Sequence, residues 1–266
     1  MQTSIRGLLA ATVLAGSALI ASPAFAQDET DPPSDITITG NAAVVTDYRF
    51  RGLSLSAGDP AIQGGININH SSGLYAGIWA SSLQQDGADV YGSMELDLIA
   101  GFTKEVTPGL TLDAGLTYYV YPAGDGNLLP SGASGDYFEP YASLTTAFGP
   151  ATAKVGVAYA WKQEALDFNA DGVGDDNLYV YGELGIGVPN TPVSLTAHLG
   201  YTDGAQSPKF LTGQTASYDG GFDYSLAATA NVTKNLSVGV SYIGVEGNTI
   251  EGFSDDTVVG TLKVSF

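Results

Sequence analysis

Apolar and polar residues alternate along most of this chain. In MELDLIAGF (94–102), Met94, Leu96, Leu98, Ala100 and Phe102 share one row of alternate positions, and Glu95 and Asp97 occupy the other. A period of two sends successive side chains to opposite faces of a strand. The same pattern recurs at 110–121, where Leu110, Leu112, Ala114, Leu116 and Val120 oppose Thr111, Asp113, Thr117, Tyr119 and Tyr121. At 177–188, Leu178, Val180, Leu184, Ile186 and Val188 oppose Tyr179, Tyr181 and Glu183. At 193–203, Val193, Leu195, Ala197, Leu199 and Tyr201 oppose Ser194, Thr196 and His198. Helical periodicity is nearly absent. The pattern predicts about twelve strands, at 36–50, 60–70, 74–83, 90–103, 110–121, 137–148, 151–162, 177–188, 193–203, 218–232, 236–246 and 257–266.

The connections between these segments fall into two classes. HSSG (70–73), TPG (107–109), GP (149–150), PNTP (189–192) and TKN (233–235) are short. The others are mostly long and polar, among them PAGDGNLLPSGASGD (122–136) and QEALDFNADGVGDD (163–176). Short and long alternate along the chain, as they do in outer-membrane barrels with tight periplasmic turns and larger external loops. Strands of roughly ten residues also suit a tilted crossing of a bilayer. Aromatic residues gather near strand ends. Tyr48, Phe50, Tyr118, Tyr159, Trp161, Tyr201, Phe222 and Tyr224 are placed at the long-loop end, and Phe102, Phe148 and Phe266 at the other. Two such belts match interfacial girdles.

A membrane forces one more conclusion. Unpaired N–H and C=O groups in hydrocarbon each cost several kcal/mol, so a sheet persists there only when its edges join. The expected fold is therefore all-β: a transmembrane, antiparallel, up-and-down β-barrel closed between the first and last strands. In the final strand Val258, Gly260, Leu262, Val264 and Phe266 share the outward row. Phe266 then lies at the periplasmic interface, in the position of an aromatic assembly signal for the barrel assembly machinery. In the first strand Ile36, Ile38, Val44, Tyr48 and Phe50 are read as outward, which turns Asp47, Arg49 and Arg51 inward. The faces of 74–83 cannot be assigned from the pattern, because both rows are apolar.

Composition sharpens this picture. Residues 1–26 carry Arg6, an apolar stretch from about Leu8 to Ile20 and a terminal Ala24-Phe25-Ala26, the form of a secretory signal peptide. Residues 27–34 read as a disordered acidic arm, and 35–266 as the barrel. The net charge is −19, and it becomes −20 without Arg6, since 1–26 contains no acid. Such a surface excludes nucleic-acid partners. The chain has no cysteine, which removes disulfides and thiolate chemistry. The expected location is the outer membrane of a Gram-negative bacterium, with outer-membrane lipid and small solutes as partners.

Y-R-F-R-G (48–52), D-P-A-I-Q-G-G (59–65), S-G-L-Y-A-G-I-W (72–79) and E-L-D-L (95–98) together resemble the TorF porin family. The resemblance covers most of the chain after residue 26 and is strongest over 44–122. One departure is Ile99, where the family pattern often has an aromatic. The resemblance implies an outer-membrane barrel that passes small solutes, with no catalytic residues.

Inward positions supply the candidate pore lining: Asp47, Arg49, Arg51, Glu95, Asp97, Asp113, Glu139, Lys154, Glu183 and Asp223, joined by Lys263. Acidic rings favour cations, and facing basic and acidic walls orient solutes. Two readings stay open. One is a channel for passive diffusion of small hydrophilic solutes or ions, leaning toward cations. The other is a non-conducting barrel with a structural or surface-interaction role. Asp167, Asn169, Asp171, Gly172 and Asp175 match positions 1, 3, 5, 6 and 9 of a calcium loop, but Leu178 stands where the bidentate Glu belongs. A calcium site and a plain acidic loop are both compatible with that segment, and no other cofactor is expected. His70 and His198 are the chain's two histidines, and neither has a catalytic partner legible in the sequence.

Overall fold

The computed structural model describes residues 35–84, 91–122, 124, 134–169 and 171–266. The expected signal peptide at 1–26 and arm at 27–34 lie outside them. Strands form where the sequence alternates. They are β1 (Ile36–Val45), β4 (Ala61–His70), β5 (Leu74–Ser82), β6 (Met94–Thr107), β7 (Leu110–Val120), β8 (Tyr137–Phe148), β9 (Ala151–Gln163), β10 (Asp175–Gly187), β11 (Val193–Gly204), β12 (Gly221–Asn231), β13 (Leu236–Val245) and β14 (Thr257–Ser265). Two short strands, β2 (Arg49–Phe50) and β3 (Leu53–Ser54), form a separate hairpin.

The twelve longer strands make one closed antiparallel barrel in which each pairs with its neighbours in sequence. Closure is between β1 and β14, with Asn41 opposite Ser265 and Val45 opposite Thr261. At the seam Gly40 and Phe266 exchange both backbone hydrogen bonds, at 2.8 and 2.9 Å. The Phe266 ring lies against Gly40, where a Cβ would come within 2.7 Å of ring atoms. Glycine at 40 therefore admits the aromatic side chain that seals the seam. With the ring closed, the barrel sheet has no open edge, which is the condition for a sheet in hydrocarbon. No described helix is long and apolar enough to cross a membrane.

The outward rows are aliphatic. Ile36, Ile38, Val44, Met94, Leu98, Leu116, Val180, Leu184, Leu195, Leu199, Val258, Leu262 and Val264 are all exposed on the barrel surface. In β5 the outward residues are Leu74 and Ile78, and Tyr75, Trp79 and Ser81 point inward. The inner aromatics are what hid the two faces of this strand in the sequence. The long-loop girdle is a stacked row on the outer surface. Tyr118 lies 4.1 Å from Phe138, which lies 6.0 Å from Trp161. Phe148 and Phe266 are exposed near the opposite rim.

The first strand departs from expectation. It ends at Val45 instead of running to residue 50, and Tyr48 and Phe50 do not join the outer girdle. Tyr48 is only 3% exposed and Phe50 is partly buried. The ladder ends at Thr46, whose amide still donates to the Gly260 carbonyl at 2.9 Å. The Thr46 hydroxyl, rather than its carbonyl, accepts the Gly260 amide at 2.9 Å. The chain then leaves the wall and turns into the barrel interior. A period of two cannot be extrapolated past such a point, because the pleat that sustains it has ended.

Candidate functional site

The interior carries the polar chemistry, in two layers. The layer toward the long loops is organised by the β2–β3 hairpin. Arg51 and Gly52 form its tip, with φ of 49° and 84°. Two consecutive left-handed residues are what a two-residue hairpin turn requires, and an arginine in that conformation is uncommon. Asp47 holds the base of the hairpin. Its Oδ1 accepts hydrogen bonds from the Ser54 and Ser56 hydroxyls at 2.6 and 3.1 Å, and its Oδ2 accepts from Arg49 Nε. Arg49 also donates to the carbonyls of Phe253 and Asp255 and to Asp255 Oδ1, tying the hairpin to the 246–256 loop.

Arg51 reaches across the lumen. The hairpin leaves the wall beside β1, yet the Arg51 partners stand on the opposite side of the ring. Its Nη2 donates to both oxygens of Glu139 on β8 at 2.7 Å, and its Nη1 to Gln206 Oε1 at 2.7 Å. The guanidinium stacks 4.7 Å from the Phe50 ring and 4.3 Å from the Tyr179 ring on β10. Gln206 Nε2 donates to Tyr137 Oη at 2.9 Å, and Tyr119 Oη donates to Glu139 at 3.2 Å. Arg51 and Glu139 are both buried. The hairpin with its ion pair fills this half of the interior. Glu95 and Asp97 lie beneath it on β6. Tyr48 Oη donates to Glu95 Oε1 at 3.3 Å, while Glu95 Oε2 and Asp97 Oδ1 have no partner.

The layer toward the short turns is aromatic and mixed in charge. Tyr75 Oη donates to Asp113 Oδ1 at 2.6 Å and also bonds the Tyr141 hydroxyl. Tyr179 Oη meets His198 Nε2 at 2.8 Å and donates to Asp223 Oδ1 at 3.2 Å. His198 Nδ1 lies 3.3 Å from Glu183. Glu183 is paired across the strands with Lys154, whose Nζ sits 5.5 Å from the centre of the Tyr181 ring. This layer is the more open of the two: Glu183 keeps 27% of its side chain exposed.

All ten expected lining residues thus have inward-facing side chains, eight of them buried. Asp47, Arg49, Arg51 and Glu139 belong to the hairpin layer, Glu95 and Asp97 lie under it, and Asp113, Lys154, Glu183 and Asp223 belong to the aromatic layer. Sequence reasoning missed the hairpin, the Gln206 and Tyr137 partners of the arginine site, and the three partners of His198. A signal for the hairpin was present: Arg51-Gly52 flanked by Asp47, Ser54 and Ser56 has turn chemistry in place of strand chemistry. His70 bonds Ser72 in an exposed turn.

The 163–176 loop uses its oxygens within the protein. Asp167 is buried and accepts the backbone amides of Asp171 and Gly172 at 3.2 and 3.0 Å. Asn169 Oδ1 accepts the Asp171 amide, Asp171 Oδ1 accepts the Val173 amide, and Asp175 accepts the Tyr218 hydroxyl at 2.6 Å. Among the described residues no group of three or more His, Cys, Asp or Glu could hold a metal ion. Tyr218, outside the strands, titrates above the ordinary tyrosine range, because burial and the Asp175 carboxylate both disfavour its phenolate.

A closed, twelve-stranded antiparallel barrel with an aliphatic outer surface and a polar interior defines the class: a β-barrel of the membrane-spanning kind. The chain belongs to a family of bacterial proteins of unknown function, Gcw_chp, whose model matches residues 29–266. No curated protein matches it in sequence. Among solved structures it is similar to the NanC porin, with 11% identity and a TM-score of 0.55 over 86% of this chain and 99% of that one. It is also similar to the KdgM porin in complex with disordered oligogalacturonate, with 8% identity and a TM-score of 0.53 over 86% of this chain and 98% of that one. At these identities the likeness is one of fold.

Proposed function

We propose that this protein is a TorF-type porin, an outer-membrane channel through which small hydrophilic solutes or ions diffuse passively, with a lean toward cations. One observation carries the reading: the interior holds carboxyl groups that no described basic side chain pairs with. Arg49 is committed to Asp47 and Asp255, and Arg51 to Glu139. Glu95, Asp97 and Asp113 each keep one buried oxygen with no hydrogen-bond partner, and among the described residues none of the three forms an ion pair. Acidic side chains along a lumen lower the barrier for cations and raise it for anions. An acidic sugar chain of the kind bound to the KdgM porin would meet repulsion here. In this reading residues 1–26 direct export, and Phe266 marks the last strand for the assembly machinery.

A second reading is a non-conducting barrel, and the hairpin favours it by filling the long-loop half of the lumen. Planar-bilayer recording of folded protein under a salt gradient separates the two. The channel reading expects discrete steps with a reversal potential on the cation side. It also expects that Glu95→Gln with Asp97→Asn moves that potential toward zero. Silence from folded protein supports the second reading, and an unchanged potential in the double variant contradicts the role given to the two carboxylates.

A further inference from the structure

Two of the inner tyrosines already carry a cation on the ring face, each beside a carboxylate. Arg51 stacks on Tyr179 and pairs with Glu139. Lys154 stacks on Tyr181 and stands cross-strand from Glu183. A third aromatic–carboxylate group repeats the chemistry without the cation. Tyr75 and Tyr141 are joined through their hydroxyls, and Tyr75 donates to Asp113 Oδ1. Asp113 Oδ2 has no partner, although the residue is 1% exposed. Ser143 stands directly across from Asp113 on β8, is 4% exposed, and its hydroxyl also has no partner.

Burying a carboxylate oxygen and a hydroxyl with nothing to bond costs free energy, and native interiors rarely leave such groups unmatched. Lys154 acts on Asp113 electrostatically, but its ammonium lies 5.5 Å from the centre of the Tyr181 ring and forms no ion pair with Asp113. Asp223, which also has an unpartnered oxygen, differs in having His198 beside it at 3.1 Å. Asp113 has Lys154 near enough to act on it through space, but it forms no ion pair. The tyrosine rings are held against the wall. Tyr75 and Tyr141 lie over Gly101 and Gly115 of neighbouring strands, where a Cβ would come within 2.5 Å of their hydroxyls. The phenol ends of both rings are thus fixed against the wall beside Asp113, and an aromatic face is a group to which a cation is drawn.

We propose that Asp113, Ser143, Tyr75 and Tyr141 form a binding site for a primary ammonium group, entered from the short-turn end of the barrel. An –NH3+ group offers three donors and one positive charge. Asp113 Oδ2 and Ser143 Oγ accept two of the N–H bonds, and the tyrosine faces receive the remaining positive charge. This deepens the cation-leaning channel by naming a solute class. It rests on that reading for its transport meaning, though the site itself requires only equilibrium binding.

The test is calorimetric titration of folded, detergent-solubilised protein with n-butylammonium and with its neutral isostere n-butanol. The site predicts saturable binding of the amine at least tenfold tighter than that of the alcohol. Asp113→Asn should weaken amine binding at least tenfold, and Tyr141→Leu should weaken it as well. Equal affinity for amine and alcohol would overturn the proposal in the wild-type protein alone, whether or not the variants fold. Undiminished binding by a folded Asp113→Asn barrel would overturn it too. Binding without bilayer conductance removes the channel and leaves the site. Conductance without binding does the reverse.

Discussion

Cutting the hairpin out of the lumen will raise the conductance of the barrel severalfold. The variant replaces residues 47–59 with a short Gly-containing turn. β1 and β4 are already paired up to Val45 opposite Ala61, so a tight turn can join them without disturbing the wall. What is lost is the group of side chains that crosses the ring: Tyr48 to Glu95, Arg49 to Asp255, and Arg51 to Glu139 and Gln206. Twelve strands enclose more room than the eight whose side chains fill the interior, so removal of the hairpin leaves an aqueous path. The measurement is single-channel current at fixed voltage and salt, wild type against the excised variant. Identical step sizes would show that the hairpin does not limit flow.

Replacing Glu139 by alanine will destabilise the folded barrel by about 3–5 kcal/mol, the usual cost of leaving one member of a buried ion pair uncompensated. Glu139 accepts three hydrogen bonds in the structure: two from Arg51 at 2.7 Å and one from Tyr119 at 3.2 Å. Without it the Arg51 charge stays in a buried site whose remaining support is Gln206 and two aromatic faces. Substituting both residues, Arg51→Leu with Glu139→Leu, should recover most of the loss, because neither charge is then stranded. Equilibrium unfolding in urea with detergent reads both effects. A Glu139→Ala barrel as stable as wild type would mean that the hairpin releases Arg51 to solvent at little cost. In that case the hairpin would behave as a loosely held segment.

The sequence made the wall legible because the wall is repetitive. Wherever one face meets lipid and the other a polar interior, as in 94–102 or 177–188, the alternation names both the strand and the direction of each side chain. The closing pair was legible for a different reason: hydrocarbon leaves an open sheet no stable alternative. β5 was illegible in its faces because Tyr75 and Trp79 point inward where a polar row was expected. The end of β1 was misread because Tyr48 and Phe50 continue the alternation past Thr46, where the ladder stops. From there on their burial is set by tertiary contacts that no local period records. The partners of Arg51 lie 88 and 155 residues away in the chain, and those of His198 lie on β10 and β12. A single sequence gives the inward direction of such residues but not which of them meet.

Everything said of the lumen depends on the wall being closed between β1 and β14. Ala43 and Lys263 face each other across that seam. Gly40 and Phe266 form a hydrogen-bonded pair, and three steps along an antiparallel ladder lead to a pair that is not, whose side chains approach more closely. The chain has no cysteine of its own, so Ala43→Cys with Lys263→Cys can form only the seam disulfide within a chain. Mild oxidation of the double variant in outer membranes should link the two positions nearly completely, read as a mobility shift reversed by reductant. A folded barrel in which both thiols stay free under the same oxidation would contradict the closed wall.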